Sequence, residues 1–177
     1  MVLKTKIVMN YKHIDNVKVT PIFSDDKKFR YSLEIIKTDM LKSDIKTVCV
    51  IMQNPSYANK NVADKSVQFI EKLIFCKGYK EFDNVYKIIV VNQYAYIQTL
   101  DFKGENIKIG IDNDSHIKSA IDNSEIILIA WGASNKYNNR QKAINSMINS
   151  ANNKVSYKTR SHPSRGSYKN FISAYTP

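Results

Sequence analysis

The chain alternates between short apolar runs and stretches in which apolar residues recur every three or four positions. Continuous apolar runs are typical of strands buried on both faces of a parallel sheet. They occur at residues 45–52, 85–92 and 125–131, and a shorter strand is predicted at residues 154–159. Apolar and polar side chains alternate over residues 30–36, which predicts an edge strand.

Helical spacing of apolar residues predicts three helices, over residues 62–79, 112–121 and 139–151. Asn61 is a candidate N-cap for the first of them, because its side chain can accept a hydrogen bond from the first turn. Since strands and helices alternate, we predict an α/β fold with three α/β/α layers and a central, mainly parallel four-stranded sheet.

The length of 177 residues, with 43% hydrophobic and 24% charged residues, is ordinary for one globular domain. We predict a single domain over residues 1–177, with the mixed, basic residues 1–29 as an N-terminal extension packed on it. We expect a monomer. The N-terminus lacks an adequate apolar segment for a signal peptide, and no apolar run approaches membrane-spanning length.

The net charge of +11 is the unusual feature of the composition. It indicates a polyanionic partner, with nucleic acid first, an acidic protein second and a membrane surface third. The alternative is a generally basic composition without a specific partner, because the lysines are spread along the chain. We expect no membrane partner, since nothing beyond charge favours one.

The cysteines and histidines limit the chemistry that the chain can perform. Cys49 and Cys76 both lie in apolar runs and are typical of reduced core thiols in a cytoplasmic protein. His13, His116 and His162 are isolated in sequence and no CxxC pair occurs, so we predict no metal site and no cofactor. No Ser/His/acid triad and no glycine-rich phosphate loop is recognisable either.

Polar residues follow each predicted central strand at its carboxyl end. They are residues 53–56 (Gln-Asn-Pro-Ser), Asn92, the Trp131-Gly132 pair and residues 161–164 (Ser-His-Pro-Ser). If the strands are parallel, these ends converge on one edge of the sheet, where α/β proteins bind ligands. A carboxamide can read an amide-like edge such as that of a pyrimidine, and an imidazole can stabilise an oxyanion. The alternatives are ordinary strand exits, with Asn92 capping a strand end and Trp131 in the core or at its rim.

At these positions the chain resembles the uracil-DNA glycosylase superfamily. That family has a GQDPYH-like motif after its first core strand, an LLN-type strand, an LLWG-type strand and a final HPSP loop. The corresponding stretches here keep this order and these strand-end positions: Met52-Gln53-Asn54-Pro55-Ser56-Tyr57, Val90-Val91-Asn92, Ile129-Ala130-Trp131-Gly132 and His162-Pro163-Ser164-Arg165.

The resemblance implies a role for each matching residue. Asn92, Gln53 and Tyr57 would bind the base, and His162 would stabilise the uracil anion that leaves. Asn54 stands where the family places its water-positioning Asp, so Asn54 and His162 would form the catalytic pair. The remaining candidates would contact the DNA backbone or an inhibitor protein: Ser56, Ser164, Arg165 and Tyr168.

The departures from the family pattern imply weak, altered or absent uracil excision. A neutral amide at Asn54 lacks the charge with which a carboxylate stabilises an oxocarbenium-like transition state. Ser56 replaces the Tyr that closes the pocket against a 5-methyl group, and Tyr57 replaces the following His. Arg165 replaces the second Pro, and no leucine wedge follows it. Tyr168 is the nearest bulky side chain for pushing out a base.

The chain also looks like an uncharacterised bacterial family with the pattern RY.L, NPS, VVN, ND, AWG and HP. Members of that family occur on mobile elements, including staphylococcal cassettes, and the resemblance covers roughly residues 25–165. Mobile elements also carry glycosylase inhibitor proteins, which are acidic mimics of DNA. The resemblance therefore implies such an inhibitor, besides DNA, as a partner.

Three functions remain open from the sequence. The first is a binding module for DNA or an inhibitor protein that has lost uracil excision. The second is an active glycosylase that hydrolyses the N-glycosidic bond of uracil or a modified pyrimidine. The third is a nucleotide-binding α/β protein unrelated to DNA.

Overall fold

The computed structural model of the chain describes residues 11–40 and 43–177. Within these residues, seven strands form one sheet and three α-helices pack on it. The strands are β1 (Val17–Phe23), β2 (Arg30–Lys37), β3 (Lys46–Met52), β4 (Val85–Asn92), β5 (Ile126–Ile129), β6 (Val155–Thr159) and β7 (Ile172–Ala174). The helices are α1 (Lys65–Phe75), α2 (Asn113–Asp122) and α3 (Asn138–Ser150).

The sheet is mixed, with the strand order β1-β2-β4-β3-β5-β6-β7. The β4-β3, β3-β5 and β5-β6 pairs are parallel, whereas β1-β2, β2-β4 and β6-β7 are antiparallel. The predicted fold of a mainly parallel four-stranded sheet, like that of uracil-DNA glycosylases, is therefore wrong. Antiparallel strands extend the sheet at both of its sides, and their short or half-polar sequences carry little of the apolar signal on which the prediction relied.

The strand β2 is not the edge strand that its alternation predicts. It pairs with β4, with Leu33 opposite Val90, and also with β1, with Leu33 opposite Pro21. The strand β1 comes from the predicted N-terminal extension, residues 1–29, of which residues 1–10 lie outside the described part of the chain. Periodicity reports which face of a strand is buried but not whether a second strand lies beside it.

Two apolar cores lie on opposite faces of the sheet. On one face α1 contributes Val67, Ile70 and Leu73 against alternate residues of β3 and β4. On the other face Ile117 of α2 and Ile144 of α3 pack against the intervening strand residues. The strands β3, β4 and β5 are buried on both faces, which explains why their sequences are continuous apolar runs, whereas the parallel strand β6 is only partly buried.

The prediction that both cysteines lie in the core is wrong for one of them. Cys49 is fully buried in β3, and burial raises the pKa of its thiol. Cys76 is exposed immediately after the last turn of α1. The apolar run that contains Cys76 belongs to the end of an amphipathic helix, so part of it faces water.

The helix α1 begins three residues later than its apolar pattern predicts. Asp64, not Asn61, is the N-cap, and its Oδ1 accepts a hydrogen bond of 2.9 Å from the backbone N–H of Val67. A separate turn precedes the helix, in which the side chain of Asn59 accepts hydrogen bonds from the backbone of Asn61 and Val62. Residues 53–64 therefore form a loop, which is available as one wall of a cleft.

The carboxyl ends of the parallel strands lie together, as their predicted orientation requires. Met52 at the end of β3 is in register with Asn92 at the end of β4, and Ile51 is in register with Ile129 at the end of β5. Ile129 is in turn opposite Lys158 near the end of β6. The polar segments that follow these strands consequently meet at one edge of the sheet.

Candidate functional site

A cleft of about 700 Å³ opens at the carboxyl edge of the parallel strands. Four segments between secondary-structure elements line it: the loop after β3, residues 98–102 in the loop after β4, the turn after β5 and the turn after β6. Of the nine residues to which the resemblance assigns a role, seven lie in its walls: Gln53, Asn54, Ser56, Tyr57, His162, Ser164 and Arg165. Tertiary structure thus brings together side chains that are more than a hundred positions apart in sequence.

The carboxamide of Asn54 is occupied by hydrogen bonds within the protein. Its Nδ2 donates to the backbone carbonyl of Gln98 at 2.6 Å and to that of Pro55 at 3.3 Å. Its Oδ1 accepts a bond of 3.3 Å from Nε2 of Gln53. Because both polar atoms are engaged, the group holds the loop after β3 in shape and has reduced capacity to orient a water molecule.

The imidazole of His162 is neutral and presents a donor. Its Nδ1 accepts a hydrogen bond of 3.2 Å from the backbone N–H of Ser164, so the proton of the neutral ring is on Nε2. Burial and the nearby positive charge of Arg165 lower the pKa of His162, which Asp64 partly opposes. The ring can therefore donate from Nε2 to an oxygen in the cleft without carrying a full charge.

The close approach of two turns fixes where this ring lies. Gly132 has φ +88°, and a Cβ there would lie 3.2 Å from the backbone nitrogen of His162. Any other residue would be strained in that conformation and would crowd the neighbouring turn. Trp131, just before it, is 4% exposed, belongs to the core beside α2 and α3, and also lines the cleft.

The other residues of the loop after β3 lie at the rim. The hydroxyl of Ser56 is hydrogen-bonded to that of Thr99 at 3.1 Å. Tyr57 is 42% exposed and is the most accessible aromatic side chain of the cleft wall. A stacked base or a partner side chain would meet this ring before the deeper residues.

Asn92 does not line the cleft. It is fully buried on the face of the sheet that packs against α1, next to Met52 in the adjacent strand. Neither its Oδ1 nor its Nδ2 has a hydrogen-bond partner among the described residues. The side chain that the sequence analysis assigned to base reading is therefore enclosed below the cleft floor.

We expect Asn92→Leu to raise the free energy of unfolding by about 1 to 3 kcal/mol. A buried amide without partners has a desolvation cost of this size, and leucine would extend the apolar cluster that surrounds it. Urea unfolding of the wild type and the variant would measure the difference. A less stable variant would show that the amide contributes hydrogen bonds to the fold, in contrast to our expectation.

Arg30 is a second buried polar residue near this floor, and the sequence analysis did not identify it. Its guanidinium is fully buried, and its Nη1 donates to the carbonyl of Ala58 at 2.8 Å. Burial lowers the pKa of Arg30 to about 10, which the charge of Asp64 partly opposes. Its contact with Ala58 supports the loop after β3 from beneath. No local sequence signal distinguishes such an arginine from an exposed one at the start of a strand.

Tyr168 lies away from the cleft. Its ring stacks on Phe69 of α1, with centroids 4.4 Å apart and planes within 5° of each other. The ammonium of Lys77 lies 4.4 Å from the centroid of the same ring. Tyr168 is therefore packed against α1 and is not among the residues that line the cleft.

The four charged residues that line the cleft carry no net charge together. Lys65 and Arg165 supply positive charge, and Asp64 and Asp101 supply negative charge. Of these four residues, only Arg165 was predicted from the sequence. The pattern Asp-x-x-Val before the apolar positions of α1 is an N-cap signal that could have located Asp64.

Among residues 11–40 and 43–177, no group of three or more His, Cys, Asp and Glu side chains is arranged to hold a metal ion. None of the helices in the same residues is both long enough and apolar enough to cross a bilayer.

Comparison with known proteins identifies a family for the chain. The model of a family described as "Protein of unknown function (DUF1643)" matches residues 30–167. No curated protein gives a significant match. No solved structure gives one either. The matched segment begins at β2 and includes every turn that lines the cleft. The chain therefore belongs to the DUF1643 family of proteins of unknown function.

Proposed function

We propose that the protein binds DNA through this cleft and has weak or no uracil-excising activity. The observation that carries the proposal is the hydrogen bonding of Asn54, whose carboxamide is bonded to Gln53, Pro55 and Gln98. Glycosidic bond hydrolysis needs a group that stabilises positive charge on the sugar and orients water. An amide that is committed to the loop does neither well.

Binding is supported by the remaining chemistry of the cleft. The neutral His162 presents an N–H donor that suits a base carbonyl or a phosphate oxygen. Ser164 and Arg165 lie beside it and can contact a phosphate. The net charge of +11 favours association with a polyanion at long range.

An acidic protein that mimics DNA, such as a glycosylase inhibitor protein, would use the same cleft and the same positive charge. We therefore propose that such a protein competes with DNA for this surface. We also propose a cytoplasmic location, because Cys49 and Cys76 are both unpaired and a reducing compartment keeps them so.

The active glycosylase is the second candidate, and one observation favours it. His162 lines the cleft, and because its Nδ1 accepts from the backbone of Ser164, its neutral ring carries a proton on Nε2, which is the form that stabilises a developing oxyanion on a leaving base. Release of the free base would then depend on His162, with little help from Asn54.

One experiment separates the two candidates. A fluorescein-labelled single strand containing uracil is mixed with the protein at high concentration over a long incubation. Anisotropy measures binding, and chromatography measures free uracil. We expect binding without release of uracil. Release that disappears in His162→Ala would establish the glycosylase, and absence of both binding and release would contradict the proposed function. Addition of an acidic inhibitor protein should then displace the strand.

We expect His162→Asn to weaken binding of this strand about fivefold, because one hydrogen bond of about 1 kcal/mol is lost. Asparagine is a good N-cap and can still accept from the backbone of Ser164, so it preserves the turn but not the donor at Nε2. Anisotropy titration measures the affinity, and thermal unfolding checks that the turn is intact. An unchanged affinity would show that His162 does not contact the strand.

A further inference from the structure

A second cavity, of about 530 Å³, lies beside the cleft. Three cationic side chains line it: Lys103, Lys136 and Arg140. No Asp or Glu lines it among the described residues. We call it the basic cavity. It differs from the cleft, where two acidic side chains offset two basic ones.

Two of these three cations form no ion pair with another described residue, although the ammonium of Lys136 lies 5.4 Å from the centroid of the Tyr137 ring. Arg140 is buried, donates from Nε to the carbonyl of Gln93 at 2.7 Å, and forms an ion pair with Asp114. Lys103 and Lys136 are exposed, and neither forms an ion pair with another described residue. The positive charge of the basic cavity therefore comes mainly from these two lysines.

Tyr137 holds the two lysine-bearing segments together. Its hydroxyl donates to the carbonyl of Phe102 at 3.2 Å. Gly104 has φ +70° and packs against the same ring so closely that a Cβ there would lie 2.1 Å from it. Lys103 lies between these two contacts, and Lys136 precedes the tyrosine. The two lysines therefore lie on segments that are packed against each other and not on independent loops.

The basic cavity continues the surface of the cleft. Phe102 and Ser134 line the cleft, whereas Lys103 and Lys136 line the cavity one and two residues further along the same segments. Since consecutive Cα atoms are about 3.8 Å apart, at most about 8 Å of chain separates the two sites in each segment. A single polyanion can therefore contact both.

We infer that the basic cavity binds backbone phosphates of a single-stranded nucleic acid whose neighbouring nucleotide occupies the cleft. This inference rests on the proposed function, because it assigns the electrostatic part of DNA binding to a site outside the cleft. The cleft supplies hydrogen bonds at almost no net charge, and Lys103 and Lys136 supply the phosphate contacts. Each phosphate that they neutralise releases counterions into solution.

The test compares two double variants in salt titrations with a short fluorescein-labelled oligothymidylate. Lys103→Gln with Lys136→Gln removes the two cavity charges. Lys18→Gln with Lys80→Gln removes two exposed charges near the opposite edge of the sheet, so the net charge changes equally. We expect the slope of log affinity against log salt to become shallower by about 1.4 in the cavity variant, at about 0.7 per phosphate contact, and to change little in the control.

The outcomes separate this inference from the proposed function. If the wild type binds no oligonucleotide at low salt, the proposed function fails, and this inference fails with it. If the wild type binds and both double variants show the same slope, only the assignment to the basic cavity is overturned. Binding of an acidic protein but of no oligonucleotide would also overturn it. His162→Asn should weaken binding without changing the slope, because a neutral ring releases no counterion.

Discussion

Replacing Glu71 with Ala should lower the free energy of unfolding by about 3 to 5 kcal/mol, the cost of leaving one member of a buried ion pair without its partner. Glu71 is fully buried in α1. Its Oε1 pairs with Nδ1 of His13, and its Oε2 accepts a bond of 3.0 Å from the backbone N–H of Ile14. Urea unfolding near pH 6 would measure the loss.

The protonation state of His13 explains the size of this effect. Both ring nitrogens face acceptors, Nδ1 facing Glu71 and Nε2 facing the carbonyl of Asn59 at 2.7 Å, so both carry protons. Burial opposes the charged ring, but these hydrogen bonds and the carboxylate of Glu71 outweigh it and raise the pKa of His13. The same contacts tie α1 to the loop that forms a wall of the cleft.

The raised pKa also sets the direction of the pH dependence. A histidine with a raised folded-state pKa contributes stability that is fully present below its ordinary pKa of 6.5 and is lost as pH rises through the folded-state value. The wild type should therefore lose this contribution as pH rises above 6.5 and through the raised pKa of the folded state, and His13→Gln should not. Equal pH profiles for the two proteins would show that His13 is not charged in the fold.

A double-mutant cycle supplies the control for this prediction. His13→Ala alone leaves the carboxylate of Glu71 buried and unpaired, so it should also be strongly destabilising. The combined variant should lose much less than the sum of the two single losses, since neither charge is then left alone. Additive losses would mean that the two side chains do not interact.

Replacing Asn54 with Asp should destabilise the protein by about 1 to 3 kcal/mol and should not create uracil excision. A carboxylate at this position would face the carbonyl oxygens of Gln98 and Pro55, to which the amide of Asn54 now donates. Two donated hydrogen bonds would become repulsive contacts. The destabilisation should increase as pH rises through the pKa of the new carboxyl, because the protonated acid can still donate one bond.

The matched control for this change is Asn54→Ala, which removes the amide without adding charge. Above the carboxyl pKa, Asn54→Asp should be the less stable of the two, and neither should release free uracil from a single strand. Release of uracil by Asn54→Asp at wild-type stability would contradict our interpretation. It would mean that this single amide, and not the hydrogen bonding of the loop, accounts for the missing activity.

The sequence predicted three of the segments that line the cleft, those after β3, β5 and β6, but not residues 98–102 after β4. Asn54 and His162 were grouped because each follows a predicted strand, and the carboxyl ends of parallel neighbours meet at one edge. Backbone topology alone brings such turns together. This reasoning needs only the parallel orientation of β3 to β6, and it is unaffected by the antiparallel strands that made the predicted sheet wrong.

The orientation of individual side chains was not predictable in the same way. Asn54 lies in the loop after β3, whereas Asn92 is the last residue of β4. Because side chains alternate along a strand, that of Asn92 is enclosed on the α1 face beside Met52. Tyr168 was close in sequence to Arg165, but it stacks on Phe69. Which aromatic or amide faces the cleft depends on long-range packing that no local pattern records.

The sequence by itself determined the positions of the buried strands and helices, the excess of positive charge and the set of polar turns at strand ends. These follow from local periodicity and composition, which are properties of consecutive residues. Only the tertiary structure decided the strand order, the enclosure of Asn92, the engagement of Asn54 and the position of Lys103 beside Lys136. Each of these depends on contacts between residues distant in sequence, whose pairing is set by the packing of the whole domain.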